Sequence, residues 1–200
     1  IVYSRAFGYA NIETKEEATT DHIFRIASHS KTFTAVALLQ LVEQGKLNLD
    51  DTVQHYLEWF QSSVDKRISQ VTIRQLLNHT AGIIRDGDDA DFWQILRDFP
   101  DKEELKEYVA TSKLVYESDE KFKYSNFGFG YLGLVIEAVS GKSYREYVTE
   151  HIVKKLGLQS TGPDLNEKAL QKLVNGYGIE LFKKKRRRFE HIDTRDLSAA

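Results

Sequence analysis

Apolar positions between residues 30 and 44 recur at helical spacing. Phe33, Val36, Ala37, Leu38, Leu41 and Val42 make one broad apolar face, and Gly45 follows as a stop. A second apolar run of helical length covers residues 127–140, with Gly141 as its stop. Between them, Asp50-Asp51 opens a short amphipathic stretch through Phe60, and Thr72 stands as the N-cap of a helix to about Asn78. Residues 90–98 form a further helical candidate. Asp101 with Glu104, and Ser143 with Glu146, have capping-box spacing. The first opens a helix through Ala110, the second one that ends before Gly157, and a last helix is expected over about 165–174. At the start, Val2, Ala6 and Tyr9 predict a strand and turn within 1–13, and residues 176–200 mix β-formers with a charged run. The pattern is a strand, many helices and then strands: an α+β chain with its helices clustered in the middle.

The remaining features bound the picture. Only Pro100 and Pro163 interrupt the chain, and no repeat or low-complexity linker divides it. Two hundred residues, 41% of them hydrophobic, can bury a sizeable core. With 28 basic and 30 acidic side chains the net charge is −2, so no special attraction to nucleic acid or to an anionic membrane is expected. There is no cysteine, hence no disulfide and no thiolate metal site. No apolar run has the length of a membrane span, and no signal-peptide pattern is present. The apolar start at Ile1-Val2-Tyr3, the absence of Met and the abrupt stop at Ala200 predict a processed or partial chain.

Ser28-His29-Ser30-Lys31 stands immediately before the first long helix. Serine and lysine three apart share one helix face. At a helix start the serine also lies near unpaired N–H groups and the positive end of the dipole. A lysine there can take the hydroxyl proton or stabilise the alkoxide. The spacing alone is weak, because Ser63…Lys66 and Ser118…Lys121 repeat it. Only Ser28 opens a strongly apolar helix, whose burial would depress the lysine's pKa. The plainer reading makes Ser28 or Ser30 an N-cap and Lys31 a solvated first-turn residue. Tyr124-Ser125-Asn126 is the second candidate: a phenol able to act as acid or base and an amide able to hold a carbonyl, two residues apart. Tyr9-Ala10-Asn11 repeats that spacing too, and the plainer reading is a turn with Ser125 or Asn126 as cap.

In combination these stretches carry a family resemblance. Residues 24–34, Phe-Arg-Ile-Ala-Ser-His-Ser-Lys-Thr-Phe-Thr, are similar to the nucleophile segment of class C β-lactamases and their relatives, the penicillin-binding proteins. Leu76-Leu77-Asn78-His79-Thr80-Ala81-Gly82 resembles the family's LLxHTSG segment. The run from Tyr124-Ser125-Asn126-Phe127-Gly128 to Leu132-Gly133 resembles YSNxGYxxLG, and Leu156-Gly157-Leu158 its later PLGM stretch. The order and rough spacing are the family's, over nearly the whole chain.

The resemblance implies a β-lactamase/transpeptidase-like fold, with a helical subdomain and an antiparallel sheet flanked by helices. Residues 1–46 would carry the N-terminal strand and nucleophile helix, 47–165 the helical subdomain with the Tyr-x-Asn motif, and 166–200 the return to the sheet. Ser28 would form an acyl-enzyme, Lys31 and Tyr124 would share proton transfer, and Asn126 would contact the substrate amide. The Ser28 N–H would supply half of an oxyanion hole. The implied substrate is a small molecule or a peptidoglycan-like chain: a β-lactam, a D-amino-acid peptide or a carboxylic ester. No cofactor or metal is implied, and an extracytoplasmic location is favoured by the resemblance alone. The family's third motif, Lys-Thr-Gly or His-x-Gly on a late strand, is not found, so the chain is expected to lack the fold's C-terminal strands and helix. That absence supports the alternative of a non-catalytic scaffold or sensor.

Other features are weighed as structure first. Lys183–Arg188 is a basic hexamer, read as a solvated hairpin or loop rather than a phosphate or lipid contact. The six histidines lack metal-ligand spacing. His29 reads as helix-start surface, and His79 as a local hydrogen-bonding partner of its turn. Asp86-Gly87-Asp88-Asp89 reads as a polar loop at the cleft mouth rather than a calcium loop.

Overall fold

The computed structural model describes residues 3–87, 97–163, 167–180, 185–189 and 193–200. Along the chain lie β1 (Tyr9–Asn11), β2 (Glu16–Glu17), α1 (Ser30–Glu43), α2 (Val53–Tyr56), α3 (Ile73–Leu77) and α4 (Lys102–Thr111). They are followed by α5 (Asn126–Ser140), α6 (Tyr144–Val148), α7 (Glu167–Lys172), β3 (Gly176–Glu180) and β4 (Lys185–Phe189). These elements form two compact units: residues 1–26 with 164–192, and residues 27–163 with 193–200. The partition differs from a division into three successive segments, because the chain's last residues pack back into the helical unit.

In the first unit β1 pairs with β2, and β3 with β4, both antiparallel. Gly176 faces Phe189 and Glu180 faces Lys185. A side chain at Gly178 would come within 2.3 Å of the Phe189 ring, so the ring covers a position that only glycine can fill. The end of α7 is tied down where the Ile23 N–H donates to the Lys172 carbonyl at 2.8 Å and the Val174 N–H to the Ile23 carbonyl at 3.0 Å. The strand expected within 1–13 is confined to Tyr9–Asn11. Tyr3 and Phe7 stand exposed, with no ladder or apolar cover to reward extension. Of the basic hexamer, Arg186, Arg187 and Arg188 lie exposed on β4, and residues 183 and 184 fall outside the described residues.

The second unit is built around α5, whose residues Asn126 to Ile136 are all buried. Against it pack α1, α3, α4, α6 and a 3-10 turn at Arg195–Ala199. Glycines set two of these distances. A Cβ on Gly130 would lie 2.8 Å from the Leu197 side chain, and one on Gly133 2.8 Å from Ala199. Tyr131 is buried edge-on to Phe60 at 5.0 Å, and its hydroxyl donates to the Leu105 carbonyl at 3.1 Å.

Helix ends follow local chemistry. α1 closes in a Schellman motif, with Gly45 at φ 67°, its N–H on the Val42 carbonyl and the Lys46 N–H on the Leu41 carbonyl. Thr72, Asp101 and Ser143 each close a capping box. The apolar face of α1 is narrower than its sequence suggests: Ala37, Leu38 and Leu41 are buried, whereas Val36 and Leu39 are exposed. The helical candidate at 90–98 falls on residues 88–96, outside the described set, apart from its last two positions.

Candidate functional site

The nucleophile segment is shaped by its backbone. Ala27 has φ 44°, in the left-handed region that costs a non-glycine residue energy. Residues Ala27–His29 then make one 3-10 turn that runs into α1. His29 is the N-cap and makes no side-chain capping bond, so neither reading of a capping serine holds. Ser28 is left exposed at the helix start, while Lys31, one turn on, is buried. Thr34 anchors the next turn: its buried hydroxyl donates to the Ala199 carbonyl at 2.7 Å and meets the Tyr144 hydroxyl at 2.9 Å.

The Tyr-Ser-Asn segment is fixed where α5 begins. Ser125 is the N-cap: its hydroxyl accepts from the Gly128 N–H at 2.9 Å and donates to the Ile84 carbonyl at 2.8 Å. The Asn126 N–H donates to the Arg85 carbonyl at 2.9 Å, and the Lys123 N–H to the His79 carbonyl at 2.7 Å. The loop from His79 to Asp86 is thereby stitched to α5. Gly82 is the point of closest approach. Its φ is 75°, and a Cβ there would sit 2.2 Å from the Tyr116 carbonyl oxygen.

All four residues singled out in the sequence meet. Ser28 Oγ lies 2.7 Å from the Tyr124 hydroxyl. Lys31 Nζ lies 3.4 Å from Ser28 Oγ and donates to Asn126 Oδ1 at 2.8 Å. The ammonium also sits 4.9 Å from the centre of the Tyr124 ring and 5.4 Å from that of Phe129. The other Ser-x-x-Lys pairs are engaged elsewhere. Ser63 donates to the Ala110 carbonyl, Ser118 to the Ala81 carbonyl, and Lys121 pairs with Glu120.

Two further residues belong to this cluster. Asp86, buried, accepts from Asn126 Nδ2 at 2.7 Å, and its other oxygen pairs with Arg85 Nε at 3.0 Å. His79 has φ 59° and packs its ring 4.5 Å from that of Tyr124. Its Nδ1 accepts from the Ser125 N–H at 3.2 Å, a partner 46 residues away and not within its own turn. Sequence gave little sign of either role, since both partners are remote in the chain. A left-handed histidine and a carboxylate inside a polar run are weak signals.

The protonation equilibria are skewed. Burial pushes the Lys31 ammonium below its ordinary range, and the Tyr124 hydrogen bond and the Tyr124 and Asp86 charges only partly oppose this. Burial alone would raise the Tyr124 phenol, but its hydrogen bonds to Lys31 and Ser28 and the charges of Lys31 and Arg85 bring it below its ordinary value. Burial, reinforced by the Lys31 charge, lowers His79 to about 4. A hydroxyl flanked by a depressed phenol and a depressed amine can lose its proton at modest cost. Among the described residues no group of three or more His, Asp or Glu is disposed to hold a metal ion. No described helix is long and apolar enough to cross a membrane. A cavity of about 230 Å³ beside Gly133, Tyr144 and Asp193 shares no residue with the cluster.

Known proteins carry the same arrangement of chain. The Beta-lactamase family profile matches residues 1–186. Protein flp of Staphylococcus aureus (strain MW2) is 30% identical over 161 residues, 80% of this chain and 32% of flp. The crystal structure of FmtA from Staphylococcus aureus superposes with a TM-score of 0.81 at 25% identity, over 98% of this chain and 52% of FmtA. A penicillin binding protein from Bacillus halodurans gives 0.74 at 30% identity, over 91% of this chain and 56% of its own. The chain thus spans about a third of flp and about half of the two solved chains. With the profile covering most of its length, the chain belongs to the beta-lactamase family and has the fold shared by beta-lactamases and penicillin-binding proteins.

Proposed function

We propose that Ser28 is the acylated nucleophile of a serine hydrolase that cleaves an ester or amide. The observation that carries this reading is the 2.7 Å contact between Ser28 Oγ and the Tyr124 hydroxyl, with Lys31 Nζ on the same oxygen. As Ser28 Oγ bonds to the substrate carbonyl carbon, its proton passes to the Tyr124–Lys31 pair. Tyr124 is the nearer acceptor. Lys31 holds the phenolate by charge and by hydrogen bond, so the two groups titrate as a pair. The proton then goes to the leaving oxygen or nitrogen as the carbonyl reforms. Water, deprotonated by the same pair, releases the acid and restores Ser28. In this reading the Ser28 N–H, in the turn that leads into α1, supplies half of the oxyanion hole. Asn126, in the same reading, orients the substrate amide, and exposed Ser28 leaves the approach open. The substrate is a small molecule or a peptidoglycan-like chain, met outside the cytoplasm.

The test is intact-mass spectrometry after incubation with a penicillin and with an activated ester. An adduct that maps to Ser28, vanishes in Ser28→Ala and persists in Ser63→Ala and Ser118→Ala is expected. Equal loss in all three variants would refute the assignment. No adduct from either reagent on the folded protein would favour a non-catalytic scaffold.

A further inference from the structure

We infer that Asp86 is a positioning residue: its carboxylate fixes which way the Asn126 amide faces and, through that amide, where the Lys31 amine points. The argument is one of donors and acceptors. An ionised carboxylate only accepts, so the face of Asn126 turned to Asp86 must be its Nδ2, at 2.7 Å. The opposite face is then Oδ1, and it takes an N–H from Lys31 at 2.8 Å. If the amide turned over, two donors would meet at Lys31 and two acceptors at Asp86.

All three groups are buried, with Asp86 7% exposed, Lys31 8% and Asn126 3%. Water cannot easily replace a lost partner there, and an unpaired buried group costs more than its bond gains. With one N–H committed to Asn126, the rest of the amine is directed toward Ser28 and Tyr124. Arg85 holds the far oxygen of Asp86 and keeps the carboxylate from rotating. The loop is in turn clamped by the Asn126 and Phe127 N–H groups, both on the Arg85 carbonyl. The chain Arg85–Asp86–Asn126–Lys31 is therefore a relay of orientation, ending at the Ser28 hydroxyl.

Asp86 is also a negative charge close to Lys31, which favours the protonated amine. The other groups facing that amine are Ser28, Tyr124, Asn126 and the Phe129 ring, with the Arg85 charge opposing protonation. Coupling between Lys31 and His79 also disfavours charge on both.

The positioning role rests on the proposed acylation chemistry, but its first test does not. The variants are Asp86→Asn, which keeps size and can still present an oxygen to Asn126, and Asp86→Leu, which cannot. The Lys31 titration is followed by carbon-13 NMR of its Cε in the protein without substrate, assigned with Lys31→Arg. Both variants should titrate at lower pH than the parent, and only Asp86→Leu should disturb the Asn126 side-chain amide resonances. If Asp86→Leu fails to fold, Asp86→Ala takes its place. Asn126 amide resonances that stay unmoved in the apolar variant overturn the inference.

The second test is a double-mutant cycle on acylation by an activated ester. Asp86→Leu, which leaves Asn126 Nδ2 without an acceptor, should slow acylation by about 10-fold, the loss expected from slight misplacement of a reacting group. In an Asn126→Ala background the same change should slow it less than about 2-fold, because the route through the amide is already gone. Equal slowing in both backgrounds overturns the relay. A parent protein that is not acylated while its Lys31 titration responds as expected would refute the hydrolase reading and leave the placement of Asp86 standing.

Discussion

Replacing His79 by Asn tests how the cluster's burial is coupled to acidity. Asparagine tolerates the left-handed backbone at φ 59°, and its amide oxygen can accept the Ser125 N–H as Nδ1 does. It cannot titrate. In the folded parent the imidazole takes up a proton only at about 4, against an ordinary 6.5, because burial and the Lys31 charge both oppose a second positive charge. Between those values the unfolded chain binds more protons than the folded one, so stability falls as pH drops through the window. Integrating over the two pKa values, and halving the result because the half-buried ring is partly screened by solvent, gives a loss of about 1 to 2 kcal/mol by pH 4, with almost none at pH 7. That is a large part of a domain's net stability. Urea unfolding of parent and His79→Asn at several pH values from 7 to 4 measures it. His151 and the carboxylates titrate in both proteins, so the difference between the curves isolates His79. The parent should lose about 1 to 2 kcal/mol more than the variant on acidification. Parallel curves, or an NMR titration of His79 near 6.5, would refute the reasoning.

Two further outcomes follow from the same geometry. Tyr124→Phe keeps the ring against His79 and Lys31 but removes the hydroxyl at Ser28, so single-turnover acylation should slow by about 10²–10⁴ with little loss of stability; an unchanged rate would take Tyr124 out of the chemistry. Gly133→Ala improves helix propensity yet drives a methyl to 2.8 Å from Ala199, so urea unfolding should show a net loss of about 1–3 kcal/mol, whereas a gain would mean that the 195–199 turn can yield.

Much of the helical scaffold could be read from the chain because its determinants are local. Thr72, Asp101 and Ser143 each cap a helix through a partner three residues on, and Gly45 and Gly141 end theirs with positive φ. Where the deciding contact is remote, the reading stopped short. Val36 looks like a core residue by period, but its side of α1 is exposed. Residues 193–200 suggested a return to the sheet. Their burial depends on glycines in α5 that admit Leu197 and Ala199, which no local pattern shows. The site divides in the same way. Spacing singled out three Ser-x-x-Lys pairs equally, and the apolar helix that follows Ser28, together with the ordered family segments, preferred Ser28. Asp86 was read only as part of a polar loop and His79 as a partner within its own turn, because the residues they bond lie 40 and 46 positions away.

The distance along the chain between α1 and α5 has a consequence for the protein's synthesis. Ser28 and Tyr124 are 96 residues apart, and Lys31 and Asn126 are 95. A nascent chain that has made α1 but not α5 carries an ordinary serine and an ordinary, solvated lysine, with nothing to depress the amine. The unusual basicity of Lys31 comes into being only when α5 closes over it. Its protonation state is therefore a gauge of that docking step, and a reagent that senses the amine would time the assembly of the helical unit from within.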